Sequence, residues 1–131
     1  MLVRDHMSTP VVTVRPDADY KMALKLMQDN ALHHLPVVDA GGNLVGIAAE
    51  RDLLLAAARY LQSAVDVADV MHRGVVTATP DMSVAQAASL MVGRRIGGLP
   101  VVDSTKQVVG IITETDLFKA LVASSAQTQV S

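Results

Sequence analysis

Two stretches of the chain read almost alike. Leu35-Pro36-Val37-Val38-Asp39, Val45-Gly46-Ile47, Glu50 and Asp52-Leu53 recur as Leu99-Pro100-Val101-Val102-Asp103, Val109-Gly110-Ile111, Glu114 and Asp116-Leu117. The offset is constant (99 − 35 = 64), so the halves align without a gap. The match reaches back to Asp5 and Met7 with Asp69 and Met71, Val11-Val12-Thr13 with Val75-Val76-Thr77, Pro16-Asp17 with Pro80-Asp81, and Leu26-Met27 with Leu90-Met91. The chain is an internal duplication spanning about Val3–Ala57 and Val67–Leu121. A unit this small cannot bury its own apolar face, so it is stable only when packed on its copy, and the seam makes a natural cleft.

Half of the 131 residues are apolar, enough for a core, and that core must be aliphatic because Phe118, Tyr20 and Tyr60 are the only aromatics. A formal charge of −2 from 11 basic and 13 acidic residues argues against nucleic acid as a partner, which calls for a basic excess and stacking aromatics. The absence of cysteine excludes disulfides, thiolate metal sites and a cysteine nucleophile, and fits a reducing compartment. Met1-Leu2-Val3 runs at once into Arg4 and Asp5, unlike a secretion signal. Uncharged runs such as residues 82–93 fall short of the roughly 20 apolar residues of a membrane span. The expected location is the cytoplasm, without membrane contact.

Tyr20, Ala23, Leu24, Met27 and Ala31 follow the spacing of one helical face, with Asp19 placed as its cap. Val84, Ala87, Ala88 and Met91 repeat that face behind Ser83-x-x-Gln86, a capping-box pattern. Each helix is followed by Leu-Pro-Val-Val-Asp, a polar or glycine turn, and Leu44–Ile47 or Val108–Ile112, which reads as an antiparallel hairpin. In each hairpin the proline marks a strand start. A second helix follows, at Glu50–Leu61 and Glu114–Ala123, and a brief strand at Val11–Val14 or Val75–Ala78 opens each unit. The expected class is α/β, each repeat running strand, helix, strand, strand, helix. The expected divisions are repeat one at residues 3–61, a linker at 62–66, repeat two at 67–123 and a mobile Ser/Gln-rich tail at 124–131.

This order and three of its motifs resemble a CBS domain pair, or Bateman module, the family named after cystathionine β-synthase. The motifs are Asp-x-Met (Asp5–Met7, Asp69–Met71), Leu-Pro-Val-Val-Asp, and Gly-Ile-x-x-Glu-x-Asp-Leu (Gly46–Leu53, Gly110–Leu117). Each is weak alone; three in order, twice, are specific. The resemblance implies repeats packed sheet against sheet with pseudo-two-fold symmetry, homodimerisation, and an adenosine-containing ligand, such as AMP, ADP, ATP or S-adenosylmethionine, in the clefts between repeats.

The family's nucleotide signature is matched in full by Gly110-Ile111-Ile112-Thr113-Glu114-Thr115-Asp116. A helix N-terminus offers free amides to a phosphate, and Asp116, which a phosphate would repel, suits the ribose hydroxyls. Thr113-x-x-Asp116 is equally a capping pattern that would satisfy only the helix's own amides, and both readings stand. By resemblance the base lies among Val76, Thr77, Thr79, Pro80, Gly98, Leu99 and Pro100, with Ile112 in the same site; Gly97-Gly98 would let a flat base approach the backbone, or is an ordinary helix-to-strand turn. The matching set in repeat one is Thr13, Arg15, His34, Leu35, Pro36, Ala49, Arg51 and Asp52. There Ala49 replaces the signature hydroxyl and His33-His34 replaces the glycine pair, so the second repeat is the favoured site.

Arg94 and Arg95 fall near a helix C-terminus, where cations are favourable in any case. His6, His33, His34 and His72 lack metal-ligand spacing, and no constellation of nucleophile and base is present, so neither a metal nor catalysis is expected. The reading is a regulatory module needing no cofactor, its adenosyl ligand acting as regulator, homodimeric and with an unidentified protein partner to regulate. Its rivals are a ligand-free module for oligomerisation or protein interaction, and a regulatory fragment of a larger enzyme or transporter.

Overall fold

The Leu-Pro-Val-Val runs begin two hairpins. In the computed structural model, which describes residues 1–59 and 64–130, β1 (His34–Val38) pairs antiparallel with β2 (Leu44–Ala49). Leu35 lies opposite Ala48 and Pro36 opposite Ile47. β3 (Gly98–Val102) and β4 (Val108–Thr113) form a second two-stranded sheet. The first turn is held by Asp39, whose Oδ1 accepts the amides of Gly41 and Asn43, both at 2.9 Å. The Asn43 amide is the main cause that holds the Asp39 carboxyl below its ordinary range.

The brief strand expected before each first helix is a single parallel bridge. Val14 donates to Pro36 O at 3.1 Å and accepts from Val38 N at 2.9 Å; Ala78 does the same between Pro100 and Val102. Turns closed by Ala18 N on Arg15 O and by Met82 N on Thr79 O then lead the chain off the sheet. Pro36 and Pro100 sit third in their strands rather than at the start. Their nitrogens face this outer edge, where no ladder asks for a donor.

Both first helices begin where the capping residues place them. α1 (Tyr20–Asp29) starts at Asp19, which accepts from Lys21 N at 2.7 Å, and buries Tyr20, Ala23 and Met27. It stops short of Ala31, which takes a left-handed φ of 54°. α2 (Glu50–Arg59) follows β2 directly. Tyr60 and Leu61 of the expected helix, Gln62 and Ser63 of the expected linker, and Ser131 lie outside the described residues. A further helix, α3 (Val67–Val70), opens at an Asp66–Asp69 capping box. α4 (Val84–Arg94) has the reciprocal Ser83–Gln86 box and ends at Arg95, φ 55°. α5 (Glu114–Val130) runs past Ala123, since no glycine or proline follows Gly110 to stop it.

The chain forms two compact units whose boundaries cut across the sequence repeats. One comprises Val12–Val75 with Lys106–Val108; the other comprises Met1–Val11, Val76–Thr105 and the chain from Val109 on. In the first unit, Tyr20 N donates to Val65 O, Val67 N to Ala18 O and Ala68 N to Pro16 O, at 2.9, 2.8 and 2.9 Å. Val67 is thereby buried with Tyr20, Met27, Leu35, Val37 and Leu53. In the second unit, Val3 N donates to Met82 O at 2.8 Å and Arg4 N to Pro80 O at 3.0 Å. Val3 is buried there with Ala78, Ala87, Met91, Leu99, Val101 and Ile112. Each hairpin-and-helix body is thus completed by the Asp-x-Met segment that the alignment assigns to the other copy.

The signature glycines make room for those segments. A Cβ on Gly46 would lie 2.6 Å from Met71 Sδ and 2.9 Å from the His72 carbonyl oxygen; on Gly110 it would lie 2.7 Å from Met7 Sδ and 3.2 Å from the Ser8 oxygen. A flexible thioether can move aside, and a backbone carbonyl in a paired segment cannot. Gly46→Ala is therefore expected to cost about 1–3 kcal/mol by overpacking, and more than Gly110→Ala. Urea titrations in which the two variants lose equal stability, or none, would contradict this docking.

Candidate functional site

Thr113 closes β4 and Glu114 opens α5, with Glu114 N donating to Gly97 O at 3.1 Å. Asp116 Oδ2 accepts from Thr113 N at 2.9 Å and from Thr113 Oγ1 at 3.1 Å, while Asp116 N reaches Thr113 Oγ1 at 3.4 Å. This is a reciprocal cap. Ser8 Oγ, from the docked N-terminal segment, adds a donor to Oδ1 at 3.1 Å. Asp116 is only 8% exposed, and a carboxylate so buried needs such donors. Oδ1 has one short donor, against a capacity of about two acceptor sites per carboxylate oxygen, and so can still accept a ligand hydroxyl.

The other residues expected at this site fall in two places. Gly98, Leu99, Pro100 and Ile112 are buried, the side chains of Leu99 and Ile112 in the core of this unit. Val76 packs against the same core, and Thr77 is half-buried. Thr79 turns instead to Asp81, its Oγ1 donating at 2.8 Å, and this bond is the first cause that lowers the Asp81 pKa from its ordinary value. Pro80 gives its carbonyl to Arg4 N.

In repeat one, Ala49 ends β2 and Asp52 lies on the first turn of α2. Asp52 has no threonine to cap with; its Oδ2 is 2.7 Å from His72 Nε2. His72 stands 64 positions after Ser8 (72 − 8 = 64), so an imidazole occupies the place of a hydroxyl. At the same helix start His33 faces Glu50, Nδ1 to Oε1 at 3.3 Å, while Glu50 N donates to His33 O. Thr13 and His34 are half-buried, Leu35 and Pro36 buried, and Arg15 and Arg51 exposed. Asp52 also lines a cavity of about 480 Å³ with Leu55, Ala56, Arg59, Val65, Asp69 and Val70. Sequence reasoning missed Ser8 and His72. The constant offset pairs them with each other, but nothing local ties His72 to a carboxylate twenty positions earlier.

Among the described residues no group of three or more His, Asp or Glu side chains could hold a metal ion, and no helix is long and apolar enough to cross a membrane. The model of the CBS domain matches the chain twice, at residues 3–59 and 67–123. The chain belongs to the CBS domain family.

Among its relatives, a CBS domain-containing protein of Dictyostelium discoideum is 35% identical over 133 residues, which cover 93% of this chain and 92% of the relative. L-aspartate semialdehyde sulfurtransferase of Methanocaldococcus jannaschii is 37% identical over 116 residues, but the match spans only 22% of that protein. The solved CBS domain pair of protein MJ0100, in complex with 5′-methylthioadenosine and S-adenosyl-L-methionine, superposes with a TM-score of 0.87 at 35% identity, covering 95% of this chain and 98% of that one. CBSX2 in complex with AMP superposes at 0.84 with 26% identity, covering 95% and 98%.

Proposed function

We propose that this CBS pair is a cytoplasmic regulatory module, not an enzyme, that binds an adenosine-containing ligand at the Thr113–Asp116 site of repeat two. Binding is reported as a change in packing or in affinity for a protein partner. The observation that carries this reading is the complete signature at the start of α5, where the positive end of the helix favours a phosphate and Asp116 Oδ1 has room for a ribose hydroxyl. The bound adenosyl compounds of MJ0100 and CBSX2 support the ligand class. A ligand-free interaction module is the second reading, favoured by Ala49 and by the donors that already engage Asp116. The 22% coverage of the sulfurtransferase keeps a regulatory segment of a larger enzyme as the third.

Isothermal titration with AMP, ADP, ATP and S-adenosylmethionine tests the first reading. Thr113→Ala should weaken binding and remove about 1 kcal/mol of capping. Asp116→Ala should weaken it further by leaving ribose donors unpaired, and Asp52→Ala should matter less. No heat with any ligand would leave the interaction module standing. Loss of binding in Asp52→Ala with Asp116→Ala intact would move the ligand to repeat one.

We further propose a homodimer through the outer faces of α4 and α5. Val92, Phe118, Leu121 and Val122 are 79, 64, 63 and 68% exposed, and an apolar groove of about 560 Å³ runs between these helices beside Phe118. Such a patch marks an interaction surface. Sedimentation at micromolar concentration should give a dimer, and Phe118→Asp a monomer; a wild-type monomer would refute it.

A further inference from the structure

Repeat two carries a pair of arginines that repeat one lacks. Arg94 and Arg95 stand 64 positions after Asn30 and Ala31, at the turn that leads from the first helix of each repeat into its hairpin. The turn is otherwise the same in both. Ala31 and Arg95 take φ of 54° and 55°, and Leu32 N donates to Met27 O at 2.8 Å as Ile96 N does to Met91 O at 3.0 Å. The first amide of the following helix donates to His33 O at 2.9 Å in repeat one and to Gly97 O at 3.1 Å in repeat two. Asn and Ala thus suffice to build the turn, and α1 ends with no basic residue in its last turn, so neither the turn nor the helix end calls for two arginines. Both are exposed, and among the described residues neither guanidinium has a hydrogen bond or ion pair.

We propose that Arg94 and Arg95 hold the phosphate of the repeat-two ligand, which makes this site selective for an adenosine phosphate over a phosphate-free adenosyl compound. The inference rests on the adenosyl reading above and narrows its ligand class. A phosphate at the start of α5 meets Glu114 and the buried Asp116, and the donors on Asp116, from Thr113 and Ser8, are uncharged. The positive end of a helix amounts to about half a charge, too little to offset two carboxylates, so the site needs a cation. The unit that contains α5 has four Arg and Lys side chains: Arg4, Arg94, Arg95 and Lys119. Arg4 acts on Asp81, a carboxyl that Thr79 chiefly and Arg4 in part hold below its ordinary range. Lys119 lies more than a turn into α5. Arg95 is two residues, at most about 7 Å of chain, from Gly97, which accepts the first amide of α5. A guanidinium also presents its donors in a fork that matches phosphate oxygens.

Titration of AMP and of adenosine into the chain with repeat one disabled by Asp52→Ala isolates repeat two. AMP is expected to bind at least about tenfold tighter than adenosine, the effect of one charge-assisted hydrogen bond. Arg94→Asn with Arg95→Ala, the pair with which repeat one makes the same turn, should bring the two affinities within about threefold by weakening AMP alone. Arg94→Lys with Arg95→Lys, which keeps the charge, should retain a preference for AMP, and rising salt should reduce it. A preference that survives the Asn–Ala pair, an equal loss for both ligands, or no preference at the start overturns the phosphate role and leaves the adenosyl reading intact. An unchanged AMP affinity with a lower melting temperature overturns it too, and marks the arginines as partners of the α4 dipole. AMP binding that Asp52→Ala abolishes puts the phosphate at repeat one and contradicts the proposal. Failure of AMP and adenosine alike to bind the wild-type chain overturns the adenosyl reading, and this inference with it.

Discussion

The contact between a methionine and a glycine positions everything else at the two sites. Met71 lies on the bare backbone of Gly46, and Met7 on that of Gly110, because neither glycine has a Cβ in the way. The segment that carries each methionine then runs antiparallel past the second strand of the hairpin, His72 bridging Ile47 and Ser8 bridging Ile111. That bridge delivers the next side chain to the start of the following helix. His72 reaches Asp52, and Ser8 reaches Asp116, with no further backbone element needed. Any change that lifts the methionine from its glycine also removes a partner from the carboxylate.

Much of the local structure was readable from residue types, because its causes are local. Asp19 and the Ser83–Gln86 pair cap the helices they precede, and the glycine and Asn residues after Asp39 close a hairpin whose strands are β-branched. Fold class and family followed from the repetition of those signals, and the family model and superpositions bear both out. The partner of each Asp-x-Met segment was not readable. A helix of four residues docks on whichever hairpin offers a glycine, and the two hairpins offer the same one. Proximity along the chain would have put Asp5–Met7 with Gly46, whereas it sits with Gly110.

The same duplication explains how the sites can drift apart. Both keep the helix start, the carboxylate and the docked segment, so the scaffold survives substitution at the positions between. Repeat two uses Thr113 to cap α5 and Ser8 to complete the carboxylate, all with uncharged groups. Repeat one has Ala49 in place of the hydroxyl and holds its Asp52 carboxylate with an imidazole, with a second histidine–carboxylate pair, His33 and Glu50, at the same helix start. An exposed pair of this kind contributes about 1 kcal/mol or less to stability.

The exchange of opening segments is the claim on which these assignments stand, and methyl-labelled solution NMR tests it directly. Nuclear Overhauser contacts are expected from the Met7 methyl to Gly110 Hα and from the Met71 methyl to Gly46 Hα. Contacts from Met7 to Gly46, or from Met71 to Gly110, would show that each segment folds back on its own repeat, and would reverse the assignment of Ser8 and His72.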